Sequence, residues 1–437
     1  MGSNEQKGSL QKAARWHPPA YDVRVEMIPI PSIVHPDDAI VKVKYTAVCG
    51  SDLHIYRGHG TTVNAHTMGH EFIGEIITLG ESFRSDAVGR PALYSTLQVG
   101  DKVVSPFTTN CGECYICRLG YTGRCTTGLL FGCDALDGGQ AQYVRVPKAG
   151  STLFSLSKPT WNSTLSGSER AKALAGLNDS SLLLLADILP TGVFAAIQAT
   201  SHPKVLPMIN GLPWPYALNP DQASDLEMQV LTPEDRLLVF AIVGLGPVGI
   251  CAAVSLLDVL ARRQLPYRIV AIDPLEARRE KMKAVYDKIG SDGKGQGEFA
   301  VASIDEAKAL VQTLTGGVGC TAVLEIVGNN SAISLAYDLV RAFGAIVSVG
   351  VHGEPSVPFT GRQLYNKNVS FDFGRCPARA MFPPAFDLLV KRQDVFGGVG
   401  EPTSLIDRII SLDDAPEAYK QFDKGEWGKV ILDPWKQ

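Results

Sequence analysis

The chain has 437 residues, of which 45% are hydrophobic and 20% are charged, and its formal net charge is −4. A single hydrophobic core stops growing well below this length, so we expect two domains. The small negative charge offers no basic surface of the kind that nucleic acid requires, which excludes that class of partner.

The amino-terminal residues 1–16 contain no apolar core of a secretory signal, so we expect a cytoplasmic protein. The uncharged run Leu237–Leu257 is long enough to imitate a membrane span, but three glycines and a proline interrupt it. We interpret this run as a buried strand, a tight turn and a core helix, and we expect no membrane partner.

Residues 20–150 alternate short β-rich runs with Gly, Pro and Asp turns, a pattern typical of a β-rich domain built from many short strands. The clearest predicted strands are Ile40–Tyr45, Phe72–Leu79, Lys102–Ser105 and Ala141–Val146.

Three polar residues interrupt apolar or glycine-rich segments: Cys49 in AVCGSDLHIYRG, His70 in TMGHEFIGEI and Asp187 in LLLLADILPTG. A catalytic zinc ion takes three protein ligands and leaves a fourth position open, and a thiolate, an imidazole and a carboxylate would meet that need. Taken singly, each of the three is better explained as an ordinary core or surface residue.

A cysteine-rich lobe, NCGECYICRLGYTGRC, has four cysteines separated by two, two and seven residues: Cys111, Cys114, Cys117 and Cys125. Thiols stay reduced in the cytosol, and short C-x2-C steps let neighbouring thiolates point at one centre. We therefore predict a structural zinc site with four sulfur ligands. The alternatives are two disulfides or chance clustering.

Two stretches, Ser151–Ser181 and Ser201–Leu231, are longer than typical connections and are interpreted as surface decoration or functional loops. From about Leu182 onward, apolar β-runs alternate with helix-length segments, which indicates a doubly wound parallel sheet. The predicted strands are Leu237–Val243, Arg268–Ile272, Ala322–Val327 and Ala345–Val349, and the predicted helices include Leu275–Ile289 and Ala332–Phe343.

We place a zinc-binding catalytic domain at residues 1–190 and a dinucleotide-binding domain at residues 191–373. Residues 374–437 end in the β-run Gly428–Leu432, and we expect this segment to return to the first domain.

A glycine turn follows the strand at Leu237–Val243 and opens a helix-forming run, with Gly244, Gly246 and Gly249 in a GxGxxG pattern. Such glycines allow a tight turn, close approach of a pyrophosphate and close helix packing. Asp273 ends the next strand, 24 residues after Gly249, where an acidic side chain binds the adenine ribose and disfavours a 2′-phosphate. This predicts NAD rather than NADP.

These motifs occur in the order found in the medium-chain zinc-dependent alcohol dehydrogenases, and the chain resembles that family from KAARWHPP to GKVILDP, apart from the two inserted stretches. LADILPTG resembles the branch that contains the glutathione-independent formaldehyde dehydrogenases, in which an aspartate is the third zinc ligand. The resemblance implies an α/β fold with a Rossmann doubly wound parallel-sheet domain and a β-rich, GroES-like catalytic domain.

By resemblance, Cys49, His70 and Asp187 become the catalytic zinc ligands, and Glu71 becomes a carboxylate that can approach the metal when a ligand leaves. Ser51 and His54 match the proton relay that runs through the nicotinamide ribose. The resemblance also implies Phe107 in the substrate pocket and Thr191 and Val248 beside the nicotinamide. Gly50 stands where some members have a basic residue that contacts the cofactor pyrophosphate, so Arg375 is the candidate for that contact.

The resemblance therefore implies two zinc ions per chain, NAD, a small alcohol or aldehyde substrate, and a homodimer or homotetramer. The expected reaction is hydride transfer between an alcohol, or the corresponding aldehyde or ketone, and NAD. Two alternatives remain: aldehyde oxidation or dismutation of the formaldehyde dehydrogenase type, and a zinc-stabilised binding protein without turnover.

Overall fold

The computed structural model describes residues 9–59, 63–87, 96–223, 231–353 and 356–437. Backbone contacts divide the chain into two compact units. Unit 1 comprises the chain up to Asp187 together with Pro377–Gln437, and unit 2 comprises Ile188–Cys376. The carboxyl-terminal segment is thus part of unit 1.

Unit 1 is built on β-strands with short helices between them, and both are numbered along the whole chain. Its strands are β1 (Leu10–His17), β2 (Asp22–Pro29), β3 (Ala39–Ala47), β4 (His66–Thr67), β5 (Phe72–Leu79), β6 (Lys102–Ser105), β7 (Tyr143–Val146), β8 (Phe154–Ser155), β15 (Ile406–Ser411) and β16 (Lys429–Asp433). Its helices are α1 (Asp52–Tyr56), α2 (Tyr115–Arg118), α3 (Ala149–Thr152), α4 (Gly167–Gly176), α5 (Asp179–Leu183), α14 (Ala378–Lys391), α15 (Gln393–Phe396) and α16 (Ala415–Asp423).

The larger sheet of unit 1 has the order β15-β16-β3-β5-β6-β8, with β7 also paired to β3, and a smaller sheet has the order β2-β1-β4. In β3, the exposed residues Lys42 and Lys44 alternate with the buried residues Val41 and Val43, as a half-buried strand requires. Val41 and Val43 pack with Phe72 and other apolar side chains in one core cluster. This arrangement fixes the ends of β3 and β5, where the candidate site lies.

Unit 2 alternates strands and helices. Its strands are β9 (Leu238–Val243), β10 (Tyr267–Ile272), β11 (Gly297–Ala302), β12 (Cys320–Glu325), β13 (Val340–Ser348) and β14 (Ser370–Phe373). Its helices are α6 (Ile188–Ser201), α7 (Leu206–Asn210), α8 (Pro247–Arg262), α9 (Glu276–Lys288), α10 (Ser291–Lys294), α11 (Ile304–Thr315), α12 (Asn330–Leu339) and α13 (Gly361–Lys367).

The strands of unit 2 form one parallel sheet in the order β11-β10-β9-β12-β13-β14. Every residue of β9 and β12 is buried, because helices cover both faces of a doubly wound sheet. The prediction of an α/β fold with a parallel-sheet domain and a second, β-rich domain is confirmed.

One predicted helix is wrong at its carboxyl end. The apolar pattern predicted a helix to Phe343, but α12 ends at Leu339 and β13 begins at Val340 without an intervening loop. Phe343 has a φ of +52° and its side chain is 59% exposed, so it cannot continue the helix. The pairing of Cys320 with Val340 in the parallel sheet decides the change of conformation.

The two inserted stretches contain helices of their own. In the first, α4 has no buried residue and begins with a capping box between Ser166 and Glu169, whereas most of α5 is buried. The second stretch contains α7, and its residues 224–230 lie outside the described part of the chain.

Among the described residues, no single helix is long and apolar enough to cross a membrane. One bent pair of helices, Asp179–Ala186 with Ile188–Ser201, meets the length and composition criteria only when the two are taken together.

Candidate active site

The pairing of β3 with β5 brings Cys49 and His70 together. Thr46, near the end of β3, pairs with Phe72, the first residue of β5, in an antiparallel register. Cys49 lies three residues after Thr46, and His70 lies two residues before Phe72. Because antiparallel partners meet at the same end of a ladder, both side chains lie at this end of the sheet.

Asp187 reaches the same place from the end of the buried turn Leu184–Ala186. Its Oδ2 lies 3.6 Å from the Sγ of Cys49 and 3.2 Å from the Nε2 of His70. Ligand atoms at zinc's usual bond lengths of about 2.0–2.3 Å stand about 3.3–3.8 Å apart in a tetrahedral site. The spacing of these three donor atoms therefore fits one zinc ion.

Glu71 is the fourth member of this buried cluster. One ligand atom from each of Cys49, His70, Glu71 and Asp187 lies within 4.8 Å of the others. Burial raises the pKa of the Cys49 thiol, and the carboxylates of Glu71 and Asp187 raise it further. Several buried acidic groups at such short range can all be ionised only if a nearby positive charge compensates their repulsion, and a divalent cation would provide that charge.

Asp52 holds this arrangement from behind, and it was not singled out in the sequence. Its Oδ1 lies 3.0 Å from the Nδ1 of His70, and its Oδ2 accepts a hydrogen bond of 3.0 Å from the backbone N–H of Cys49. A carboxylate on Nδ1 fixes the histidine tautomer that presents Nε2 to a metal. The signal available was an acidic residue in the first turn of α1, three residues after Cys49.

Lys429, at the start of β16, is a second residue that sequence reasoning missed. Its Nζ lies 2.6 Å from Oε1 and 2.7 Å from Oε2 of Glu71, and both side chains are buried. Burial raises the pKa of the Glu71 carboxyl, although the Lys429 ammonium opposes this shift.

Ser51, the first of the two predicted relay residues, lies beside the cluster. The Oγ of Ser51 is 3.2 Å from the Nε2 of His70 and 3.4 Å from the Sγ of Cys49. His54 lies one turn further on in α1, where burial lowers the pKa of its ring, with smaller contributions from Arg57 and His59. The buried ring of Phe107 stands edge-on to the His70 ring, with the ring centroids 6.4 Å apart.

The four cysteines of the lobe converge in the same unit. One sulfur from each lies within 4.8 Å of the others, and the sulfurs of Cys111 and Cys125 are 3.6 Å apart. The backbone N–H of Thr126, followed by that of Cys117, holds the pKa of the Cys114 thiol at about 5, because these donors favour the thiolate. All nine cysteines of the chain are free thiols, so the disulfide alternative is wrong.

The glycine turn of unit 2 has the geometry that its pattern predicts. Gly244 has a φ of +98°, which few other residues adopt. A Cβ atom at Gly249 would lie 1.9 Å from the carbonyl oxygen of Gly244, so α8 packs directly on the turn. Of the described residues, only Arg278 would meet a Cβ atom at Gly246, with its guanidinium at 4.0 Å, which leaves room for a ligand to approach the start of α8.

Asp273 follows β10 and joins the glycine turn to the start of α9. Its Oδ2 accepts a hydrogen bond of 2.8 Å from Leu245 N–H, and its Oδ1 accepts one of 2.9 Å from Leu275 N–H. The Nη1 of Arg278 lies 3.6 Å from Oδ2. Each carboxylate oxygen can accept a further hydrogen bond, so the geometry leaves acceptor capacity for ribose hydroxyls.

The other predicted cofactor residues also lie in unit 2. Thr191 is buried inside α6, which begins at Ile188. Val248 is half-buried in the first turn of α8, and Arg375 is exposed just after β14.

Comparison with known proteins agrees with this geometry. Residues 35–157 match the family described as "Alcohol dehydrogenase GroES-like domain", and residues 247–391 match "Zinc-binding dehydrogenase". The chain is 35% identical over 430 residues to the zinc-type alcohol dehydrogenase B of Aspergillus flavus, covering 96% of this chain and 81% of the relative. It is 27% identical over 452 residues to the formaldehyde dismutase of Pseudomonas putida, covering 94% and 95% of the two chains.

A solved structure, the alcohol dehydrogenase TADH from Thermus sp. ATN1, aligns with a TM-score of 0.69 at 26% identity and covers 97% of this chain and 99% of that one. The match at residues 35–157 includes Cys49, His70 and the four lobe cysteines, and the match at residues 247–391 includes Gly249 and Asp273. The chain belongs to the medium-chain, zinc-dependent alcohol dehydrogenase family of oxidoreductases.

Proposed function

We propose that the chain is an NAD-dependent dehydrogenase that transfers hydride between a small alcohol and NAD and holds two zinc ions. Cys49, His70 and Asp187 hold the catalytic ion, and the four lobe cysteines hold the structural ion. The observation that carries the proposal is the buried set of thiol, imidazole and carboxylate donors at the spacing of a zinc site with one position left for substrate.

The donor types fit zinc better than the hard cations, because calcium and magnesium prefer oxygen ligands alone. When bound, zinc supplies Lewis-acid chemistry: it lowers the pKa of a coordinated hydroxyl and polarises a carbonyl. The protein fixes the donors around it. Asp52 orients the His70 ring and also holds the backbone of Cys49, so one carboxylate sets the position of two ligands.

The proton released from an alcohol needs an acceptor outside the buried cluster. The hydroxyl of Ser51 is close enough to the donor set to take part in hydrogen bonding with a bound substrate. Because burial lowers the pKa of His54, its ring is neutral at pH 7 and can accept a proton. We therefore assign the inner step of proton transfer to Ser51 and the outer step to His54.

For the cofactor we propose NAD, bound at the glycine turn with its adenine ribose on Asp273. The acceptor capacity of a buried carboxylate supports this choice, because a 2′-phosphate would meet a negative charge there. Arg278 is the nearby cation that would favour NADP instead. A kcat/KM for NADP that equals or exceeds that for NAD would contradict the role of Asp273. By family likeness we also propose a homodimer or homotetramer, which light scattering on the purified protein would test.

A second candidate reaction is aldehyde dismutation, favoured by the similarity to a formaldehyde dismutase and by an aspartate in the ligand set. A dehydrogenase releases one NADH for each alcohol oxidised. A dismutase converts two aldehydes and one water molecule to one alcohol and one acid while its cofactor is oxidised and reduced in turn, so no net NADH appears.

The test is a panel of alcohols and aldehydes with NAD or NADH on zinc-loaded full-length protein. NADH appearance with alcohols supports the dehydrogenase, and equal yields of alcohol and acid from an aldehyde without net NADH support the dismutase. Asp187→Ala serves as the matched variant, because it removes one proposed ligand and keeps the lobe cysteines. Activity equal to that of the wild type in this variant would contradict the proposed site.

A further inference from the structure

Lys429 is buried in unit 1 with its ammonium group fully hydrogen-bonded. The side chain of Lys429 is 1% exposed and that of Glu71 is 0% exposed. Nζ donates to both carboxylate oxygens of Glu71, at 2.6 and 2.7 Å, and to the carbonyl oxygen of Val48 at 3.2 Å. An ammonium has three N–H donors, so each has one acceptor.

These contacts join the two segments that carry ligands. Val48 directly precedes Cys49, and Glu71 directly follows His70. The carboxyl-terminal strand fixes Lys429 in place, because β16 pairs with β3 at Ile431 and Val48 N–H donates to the Val430 carbonyl at 3.1 Å. The ammonium is therefore anchored to both ligand-bearing segments by hydrogen bonds and by the pairing of β16 with β3.

Lys429 supplies a buried positive charge that the donor set lacks. Ionised Cys49, Asp187 and Glu71 contribute three negative charges, and the Asp52 carboxylate behind His70 contributes a fourth, whereas a zinc ion contributes two positive ones. An uncompensated buried charge is strongly unfavourable, so a further cation is required. Lys429 is in direct contact with the one carboxylate that the proposed ligand set does not use.

Glu71 is also near enough to become a ligand. One of its oxygens lies within 4.8 Å of the donor atoms of Cys49, His70 and Asp187. A small shift would bring this oxygen to the ion, where it would occupy the position that a substrate needs. The paired hydrogen bonds to Lys429 engage both Glu71 oxygens and oppose that shift.

We propose that Lys429 is a positioning residue that holds Glu71 beside the zinc site as a countercharge and keeps the fourth coordination position open to substrate. The inference rests on the proposed zinc site. It gives the carboxyl-terminal strand a role in the site, because Lys429 helps the open coordination position to bind substrate and not Glu71. Loss of the ammonium would let the Glu71 carboxylate move toward the ion and compete with the alcohol.

The test compares full-length wild-type protein with Lys429→Met and with the double variant Lys429→Met/Glu71→Gln, each loaded with cobalt(II) in place of zinc. The cobalt spectrum of a His70→Ala variant, which keeps the lobe cysteines, is subtracted to isolate the catalytic site. The visible bands of cobalt(II) shift when the ligand at the fourth position changes, so the spectrum reports whether the Glu71 carboxylate has taken that position.

We expect Lys429→Met to shift the visible cobalt bands and to raise the KM for alcohol by about 10- to 100-fold, with a smaller change in kcat. The double variant should regain the wild-type spectrum and a KM near that of the wild type, because a neutral Gln neither needs the ammonium nor competes well for the ion. If Lys429→Met fails to fold, a double variant that folds and has the wild-type spectrum still supports the inference, because removing the Glu71 charge then removes the need for the ammonium.

A folded Lys429→Met protein with the wild-type spectrum and KM would overturn the inference. The inference would also fail if the double variant kept the altered spectrum of Lys429→Met. A wild-type protein that binds no cobalt beyond the His70→Ala background would instead overturn the proposed zinc site. The two failures are therefore distinguishable.

Discussion

Asp52→Asn should weaken the catalytic metal site while leaving the fold in place. The two oxygens of Asp52 face two donors, the Nδ1–H of His70 and the backbone N–H of Cys49, each at 3.0 Å. An asparagine offers one oxygen acceptor, and its amide group is a donor. One of the two partners must therefore lose its acceptor.

The size of the effect follows from the kind of bond that is lost. A hydrogen bond to a charged group contributes about 1.5–3 kcal/mol. Replacing the outer partner of a ligating histidine lowers metal affinity or activity by about 10- to 100-fold. This range corresponds to about 1.4–2.7 kcal/mol, so the two estimates agree.

The assay is competition for zinc between the protein and a chromophoric chelator, with kcat/KM for an alcohol measured in parallel. Asp38→Asn is the matched control, because Asp38 is also buried in unit 1 and accepts the backbone N–H groups of Val34 and His35 at 3.1 and 3.0 Å. The control should lose thermal stability but keep its zinc affinity. Equal zinc affinity in Asp52→Asn and Asp38→Asn would refute the role given to Asp52.

Cys114→Ser should reduce bound zinc, measured by mass spectrometry, from about two ions to about one per chain and lower the Tm, because a structural site needs all four sulfurs; an unchanged zinc content would contradict the lobe assignment. His54→Gln should lower kcat by up to about 100-fold at pH 7. Because burial lowers the pKa of His54 below 6.5, the wild-type kcat should fall as the pH is reduced through that lower pKa, and a pH–rate profile of the variant should lack this fall. Gly249→Ala should weaken NAD binding and lower the free energy of unfolding by about 1–3 kcal/mol, because its Cβ would lie 1.9 Å from the Gly244 oxygen. Gly167→Ala is the control, because a Cβ there meets no described atom within 4 Å, and it should change neither quantity. Calorimetry measures both the binding and the unfolding.

The sequence predicted the features that depend on local pattern. The buried run at β9 and the alternation in β3 are visible in the order of residues alone, because burial on two faces or on one face leaves a different periodicity. The lobe cysteines are recognisable for a similar reason, since their spacing is short. Residue order could not show the change from α12 to β13, where no turn residue separates Leu339 from Val340.

Some residues of the candidate site could likewise be predicted from the sequence, and others could not. Resemblance and residue type selected Cys49, His70 and Asp187, and the structure brings them together, although their catalytic roles stay predictions. Lys429 gave no signal, because a lysine that begins a strand is usually at the surface and its partner Glu71 lies 358 positions away in the chain. Only the pairing of β16 with β3 places it in the site.

The most direct test of the zinc site is a crystal structure of the zinc-loaded protein, with and without NAD, with anomalous scattering measured at the zinc edge. We predict one peak about 2.3 Å from the Sγ of Cys49 and about 2.0–2.2 Å from the Nε2 of His70 and an oxygen of Asp187, and a second peak among the four lobe sulfurs. No peak between Cys49 and His70, or a Glu71 oxygen bound to the ion in both crystals, would contradict the account.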